Sequence, residues 1–552
     1  MENKLVTLIE ESVRGNWNRA AFTDFNGETL QYKDVARKMA KMHLLFEAAG
    51  IRKGDKIAIC GRNCGNWCVA FLSTLTYGAV AVPILHEFKP DNVHHIVNHS
   101  EARLLFVGDR VWENLNEAKM PALQGIIGLK DFMTEVSRSK SLTHARMNLN
   151  ALFGQKYPMR FLPEHVSYAP EHTQEDLAVI NYTSGTTGFS KGVMLPFRSL
   201  LSNVLFCRNS IGIEPGDNIV SMLPLGHVFG LVFDFLYGVC SGAHLHFLTR
   251  MPSPKIIMTT VADIHPRVIS SVPLVIEKII RQELLPKIDS RLGKLLLHIP
   301  GINEKVRQKA HERCMELFGG NVKEIIIGGA PFNAQVEALL REIKFPYSIA
   351  YGMTECGPII CHSSWKNTEF TSCGKAADGM ELKVLSSDPT SIAGELVCRG
   401  RNTMLGYYKN KEATKQIFDN DGWLHTGDMA IINNGTVFIK GRCKNMLLSA
   451  SGQNIYPEEI ESLLNNQPYV SESLIIMSNE KLVALIYPDL IGSQHDGLDY
   501  KSLLQHFDRV RQELNKQLPP FSQISKVIIQ NEEFEKTAKK SIKRYLYQNA
   551  NG

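Results

Sequence analysis

The stretch Leu177-Ala-Val-Ile-Asn181, running directly into Tyr182-Thr-Ser-Gly-Thr-Thr-Gly-Phe-Ser-Lys-Gly-Val193, decides how this chain is read. The first part is an apolar run of strand length. In the second, Gly185, Gly188 and Gly192 let the backbone come close to a ligand and turn its N–H groups inward. Thr183, Ser184, Thr186 and Thr187 add hydroxyl donors, and Lys191 adds a full positive charge. Such a loop is built to hold a polyphosphate. It is not the form G-x-x-x-x-G-K-[ST], because Gly192 stands where that motif needs Ser or Thr. A flexible Ser/Gly linker would not lie between apolar strands.

Working outward, strand-like runs alternate with amphipathic stretches. Lys56–Cys60 and Ala79–Pro83 read as strands with a helix over Cys68–Tyr77 between them. Leu104–Val107, Asn218–Met222, Val268–Val272 and Glu324–Ile327 continue the pattern. This alternation predicts an α/β fold of layered subdomains with largely parallel sheets. The last quarter differs: Met429–Ile432 and Thr436–Lys440 flank Asn434-Gly435, a two-residue hairpin signal, and a helix-like Pro457–Asn465 follows. The expected division is a large N-terminal domain over 1–441, including a β-subdomain, and a small mobile α+β domain over 442–552.

Composition narrows the class. The chain has 552 residues, 44% apolar and 21% charged, which suits more than one globular core. A net charge of +5 is too mild to make nucleic acid the partner. Met1–Arg14 lacks the apolar centre of a secretory leader, and Leu231–Leu248 is short and broken by Asp234, His244 and His246. With eleven cysteines in no framework spacing, a reduced cytoplasmic protein is expected. Cys60, Cys64 and Cys68 read as one core-facing helix side rather than a metal knuckle. Nothing organises His94, His95 and His99 into a ligand set.

Further motifs follow in order: Leu223-Pro-Leu-Gly-His227, Gly328-Gly-Ala-Pro331, Tyr351-Gly-Met-Thr-Glu355, Trp423-Leu-His-Thr-Gly-Asp428, Gly441-Arg442-Cys443-Lys444 and Ser451-Gly-Gln-Asn-Ile-Tyr-Pro457. Together with the signature loop they closely resemble the adenylate-forming superfamily, which includes acyl-CoA synthetases, luciferase and peptide-synthetase adenylation domains. The resemblance runs from about Glu28 to Arg544. It implies ATP, Mg²⁺ and coenzyme A as cofactors and a carboxylic acid as substrate. It assigns Gly329, Ala330 and Pro331 to the adenine side, with Tyr351 stacking on adenine in the segment Gly352, Met353 and Thr354. Glu355 anchors the metal, Asp428 accepts from the ribose hydroxyls, and Arg442 serves ribose or phosphate contacts. His227 lines the channel near the carboxylate, with Leu225, Val228, Phe229 and Phe233 at the acyl pocket. Lys444 is the hinge, and Ser451, Gly452 and Gln453 enter the site in the thioester-forming state.

One departure stands out. The family's closing run T-P-x-G-K-I-x-R reads Thr537-Ala-Lys-Lys-Ser-Ile-Lys-Arg544 here, which puts Ser541 at the catalytic lysine position. Lys540 is the expected substitute. Phe534-Glu-Lys-Thr537 and Asn454-Ile-Tyr-Pro457 look most like bacterial fatty acyl-CoA synthetases, so a medium- or long-chain fatty acid is the expected substrate. An acyl or aryl acid ligase loading a carrier-protein thiol, and a catalytically impaired nucleotide-binding homologue, stand as alternatives. Peripheral membrane contact is compatible with this reading, which assigns no oligomeric state.

Overall fold

The strand Leu177–Thr183 is the organising element of an eight-stranded sheet. The computed structural model describes residues 4–168, 173–183, 191–248, 253–288, 302–449, 453–536 and 542–548. On one side of Leu177–Thr183 lie Val80–Ile84, Lys56–Cys60, Ala102–Val107 and Gly125–Gly128, joined by parallel pairings, with Thr134–Ser137 antiparallel at the edge. On the other side lie Lys191–Pro196 and Gly406–Tyr407, both antiparallel. Helix Gly65–Tyr77 crosses between parallel strands, as an apolar β-run followed by a helix requires.

A second sheet of thirteen described strands has two halves. His244–Phe247, Asn218–Ser221, Val268–Ser271, Glu324–Gly328 and Tyr347–Gly352 are parallel, and the chain then turns antiparallel through Ile359–His362. The antiparallel half carries Leu424–Asn433 paired with Thr436–Arg442. Their turn, Asn434-Gly435, has φ of 49° and 79°, as the hairpin reading requires. The α/β reading of the large unit therefore holds, with mixed rather than wholly parallel sheets and a smaller C-terminal unit. That unit has a sheet of Val470–Ser478, Lys481–Pro488 and Ile524–Ile529 covered by helices Pro457–Leu464 and Tyr500–Asn515.

Some local expectations need correction. The strand after Leu177 does not stop at Asn181 but continues through Tyr182 and Thr183, because the hairpin partner Lys191–Pro196 supplies its hydrogen bonds. Cys60, Cys64 and Cys68 do not share a helix: Cys60 closes a strand, Cys64 caps the next helix and Cys68 lies inside it. Burial pushes the Cys60 and Cys64 thiols up to about 12, so both are inert packing groups. Among the described residues no helix is long and apolar enough to cross a membrane.

The C-terminal unit is tied to the last turns of the chain by Arg544, whose guanidinium reaches both carboxylate oxygens of buried Glu461. Burial pushes the Glu461 carboxyl up to about 7, with Arg544 pulling the other way. Arg544→Ala should therefore cost on the order of 3 kcal/mol at pH 8, where a buried charge loses its partner. The cost should shrink at pH 5, where Glu461 takes up a proton. Thermal unfolding at both pH values checks this, and an equal loss at each would exclude Glu461 as the origin.

Candidate active site

The signature loop joins two antiparallel strands, with Thr183 opposite Lys191 across the hairpin. Among the described residues the loop is followed by the strand Lys191–Pro196 and not by a helix. Ser184, Gly185, Thr186 and Thr187 lie outside the described residues. Lys191 is held from below: its Nζ sits 4.8 Å from the centre of the Tyr407 ring. The Tyr407 hydroxyl donates to Glu355 Oε1 at 2.7 Å, and the Met404 N–H donates to the Glu355 carbonyl at 2.8 Å. Lys191 and Glu355, 164 positions apart in the chain, are thus linked through one aromatic side chain.

A second group sits where the second sheet turns antiparallel. The Tyr351 hydroxyl donates to Asp428 Oδ2 at 2.5 Å, and Arg442 Nε lies 2.8 Å from Asp428 Oδ1. Asp428 and Arg442 are directly opposite in the hairpin register, so the pairing of Leu424–Asn433 with Thr436–Arg442 sets this contact. Burial raises the Asp428 carboxyl, against the pull of Arg442 and Tyr351. Gly352 follows Tyr351 at a place where a Cβ would stand 2.1 Å from the Pro358 carbonyl, so only glycine fits. Met353 donates to that same carbonyl, which leads into Thr354 and Glu355.

The third group is the turn Leu223–His227. Asn63 donates from Nδ2 to the Leu223 carbonyl at 2.7 Å and accepts from the Leu225 N–H at 2.9 Å. Asn181 donates to the Gly226 carbonyl at 3.0 Å, and Asp234 Oδ2 accepts from the Leu223 N–H at 3.2 Å. All three side chains are buried. His227 Nδ1 accepts from the Phe229 N–H at 3.2 Å, which leaves the proton of the neutral ring on Nε2. Leu225, Val228 and Phe233 are packed in the main core; Phe229 meets Phe233 edge-to-face at 5.1 Å. A Cβ on Gly328 would lie 3.3 Å from the Phe229 ring, so the turn Gly328–Pro331 abuts this wall. Gly329 has φ of +92°, with Ala330 and Pro331 exposed after it.

Other expected site residues lie apart from these groups. Gln453 and Ser449 are joined by a pair of hydrogen bonds; Ser451 and Gly452 lie outside the described residues. Lys444 is exposed in a short 3₁₀ turn, Cys443–Asn445, that follows the strand ending at Arg442. Lys540 and Ser541 also lie outside the described residues, between the bridged pair Lys536 and Ile542. Lys543 is engaged with Glu535 at 2.9 Å.

Tyr407, Asn63, Asn181 and Asp234 carry the site geometry and were not singled out as site residues from sequence. Asp234 had a signal, as a lone acid in an apolar run; Asn181 had a weaker one, as the amide ending an apolar strand. Asn63 and Tyr407 had none, because their partners are distant in the chain.

This architecture is the fold of adenylate-forming enzymes. The chain superposes on the anthranilate CoA ligase AuaEII in complex with anthranoyl-AMP with a TM-score of 0.79, covering 99% of this chain and 97% of that one at 20% identity. The chain belongs to the AMP-binding enzyme family, which matches residues 9–408, and the family's C-terminal domain matches residues 444–550. Among its relatives, Long chain acyl-CoA synthetase 6, peroxisomal, of Arabidopsis thaliana is 27% identical over 483 residues, covering 80% of this chain and 66% of the relative. The Long-chain-fatty-acid--CoA ligase of Escherichia coli O157:H7 is 27% identical over 496 residues, covering 85% and 82%.

Asp234 gives the site a pH signature. Burial pushes its carboxyl up to about 7, against the backbone N–H groups it accepts from. In the unfolded chain the same group ionises near its ordinary value of about 3.9. Between these values unfolding releases a proton, so this residue's contribution to stability falls as pH rises to about 7 and is flat above. Asp234→Asn keeps an acceptor for Leu223 and has no proton to lose. Urea midpoints at pH 5 and pH 8 should therefore differ less in the variant than in the native chain, by an amount that vanishes if Asp234 does not titrate in this range.

Proposed function

We propose that this protein is an acid–thiol ligase that activates a carboxylic acid with ATP, releasing pyrophosphate, and passes the acyl group from acyl-AMP to coenzyme A. The observation that carries this reading is the linked set Lys191, Tyr407 and Glu355 beside the cluster Tyr351, Asp428 and Arg442, in a chain of the AMP-binding enzyme family. Tyr351 offers a ring face to adenine, and Asp428 with Arg442 offers an acceptor and donors to the ribose. The hydroxyl loop and Lys191 hold the phosphates and steady the charge that develops on the departing pyrophosphate. Glu355 has one oxygen occupied by Tyr407 and the other without a hydrogen-bond partner among the described residues. That fits Mg²⁺, which takes few carboxylates and shares phosphate oxygens, and which would neutralise phosphate charge there. His227, its tautomer set by the Phe229 N–H, presents Nε2–H toward the acid.

The substrate we propose is a medium- or long-chain fatty acid, supported by the relatives' names; Leu225, Val228, Phe229 and Phe233, expected at the acyl pocket, are buried in the main core. Lys540 is the proposed cation at the attacking carboxylate: Lys536 and Lys543 are both engaged with carboxylates, and of Lys539 and Lys540 the latter is one residue from the Ser541 position. The two units divide near Lys444, which we propose as the pivot that lets Ser451–Gln453 replace the lysine run between half-reactions.

With ATP, Mg²⁺, coenzyme A and a panel of long-chain, short-chain and aromatic acids, the products should be AMP, pyrophosphate and a long-chain acyl-CoA. ADP and orthophosphate would overturn the mechanism, and preferred turnover of an aromatic acid would overturn the substrate class. Lys191→Ala and Glu355→Gln should each slow acid-dependent ATP–pyrophosphate exchange by roughly 10²–10³-fold with the unfolding transition unchanged, the cost of one lost transition-state contact. A near-native rate in either folded variant removes that residue from the role.

A further inference from the structure

Tyr407 and Tyr408 are consecutive, yet their side chains go to different partners. Tyr407 takes Lys191 and Glu355. Tyr408 takes the C-terminal end of helix Pro90–Ser100. Its N–H donates to the Gly192 carbonyl at 2.8 Å, and its hydroxyl donates to Glu101 Oε2 at 3.0 Å. Its ring meets His99 edge-on, with ring centres 5.7 Å apart. His99 in turn is hydrogen-bonded through Nδ1 to the Tyr182 hydroxyl at 2.8 Å. Tyr182 lies opposite Gly192 in the hairpin register, and the next pair is Thr183 with Lys191. A Cβ on Gly192 would stand 3.1 Å from Tyr182 Cζ, so the ring of Tyr182 lies close over that glycine. Lys409 closes the circuit: its Nζ is 2.9 Å from Glu101 Oε1 and donates to the His99 carbonyl at 3.2 Å.

Both strands of the signature hairpin are therefore attached to one helix end, at the pair next to Thr183 and Lys191. The members of the circuit do not contribute equally. Glu101 and Lys409 are exposed, and an exposed ion pair adds little. Tyr182 is buried, so removing its partner strands a hydroxyl away from water, which costs more. His99 is thus the member on which the circuit turns. His95 and His99 stack one helical turn apart, with ring centres at 5.5 Å, which is also a spacing for two metal ligands. Against that use, His99 Nδ1 is already bonded to Tyr182, and among the described residues no group of three ligands gathers. His94, the third histidine of this helix, accepts from the Asn116 N–H at 3.0 Å and stands apart from the circuit.

We infer, resting on the ATP-dependent reading given above, that His99 is a positioning residue for the nucleotide's phosphates. Through Tyr182 it fixes the hairpin pair Thr183 and Lys191, and with it the place at which the Lys191 ammonium meets the phosphates. Tyr407 sets the height of that ammonium from one side, and His99 sets the backbone that carries it from the other. A small shift of a charged group at a reacting centre weakens binding and rate together, which is why such a root needs a partner outside the sheet.

The test is acid-dependent ATP–pyrophosphate exchange by the full chain, with KM measured separately for ATP and for the acid. His99→Leu and Tyr182→Phe should each raise the KM for ATP about three- to tenfold, the cost of one buried hydrogen bond, and leave the KM for the acid unchanged. The double variant should raise it no further than either alone, because both remove the same bond. His99→Asn, which returns a hydrogen-bonding group to the position of Nδ1, should restore most of the loss. Should His99→Leu not fold, Tyr182→Phe and His99→Asn decide. Equal rises in both KM values, additive effects in the double variant, or no rescue by a folded His99→Asn would each overturn the inference. Native exchange with an unchanged KM for ATP in the folded variants would overturn the role of His99 alone. Absence of exchange by the native chain would overturn the ligase reading, and the role of His99 with it.

Discussion

Two buried amides, Asn63 and Asn181, join the large sheets through the backbone of Leu223–His227. Asn63 follows a strand of the eight-stranded sheet and Asn181 lies within another, whereas the turn they grip follows Asn218–Ser221 of the second sheet. Buried carbonyls and N–H groups of an irregular turn must find partners or forfeit about 1–3 kcal/mol each. Here those partners are side chains from the facing sheet. The need to satisfy that turn thus sets how the sheets meet, and the position of His227 follows from it. Asp234 grips the same turn from its own side, from a π-helical stretch, Gly230–Leu236, of the kind common at functional sites.

Charge is handled differently in the other two clusters. Asp428 is buried and raised, yet it stands between a hydroxyl and a guanidinium, so a ligand with hydroxyls can exchange for existing donors without stranding the carboxylate. Lys191 is instead held over a ring face, which steadies its ammonium while leaving its N–H donors for an anion. A lysine paired with a carboxylate would have to break that pair before taking a phosphate. Tyr407 keeps Lys191 and Glu355 near each other without such a pair.

The motifs were legible because their chemistry is local. Gly185, Gly188 and Gly192 among hydroxyls have the composition of a loop for phosphate, and Asn434-Gly435 announces its turn because few other pairs accept positive φ twice. Strand ends were less legible. Tyr182 and Thr183 look like loop in isolation and become strand only because Lys191–Pro196 pairs with them. Cys60 misled for the same reason: its spacing to Cys64 and Cys68 is helical, but its backbone bonds go to neighbouring strands.

By itself the sequence determined the α/β class, the hairpin at Asn434-Gly435, the smaller C-terminal unit and the residue types at each motif, since propensity, periodicity and turn chemistry act over a few residues. Only the tertiary structure decided that Tyr407 stands between Lys191 and Glu355 and that Asn63 and Asn181 hold the His227 turn. These depend on contacts between residues tens to hundreds of positions apart. No local pattern encodes such contacts, because they arise only when the sheets have packed and buried polar groups must be satisfied.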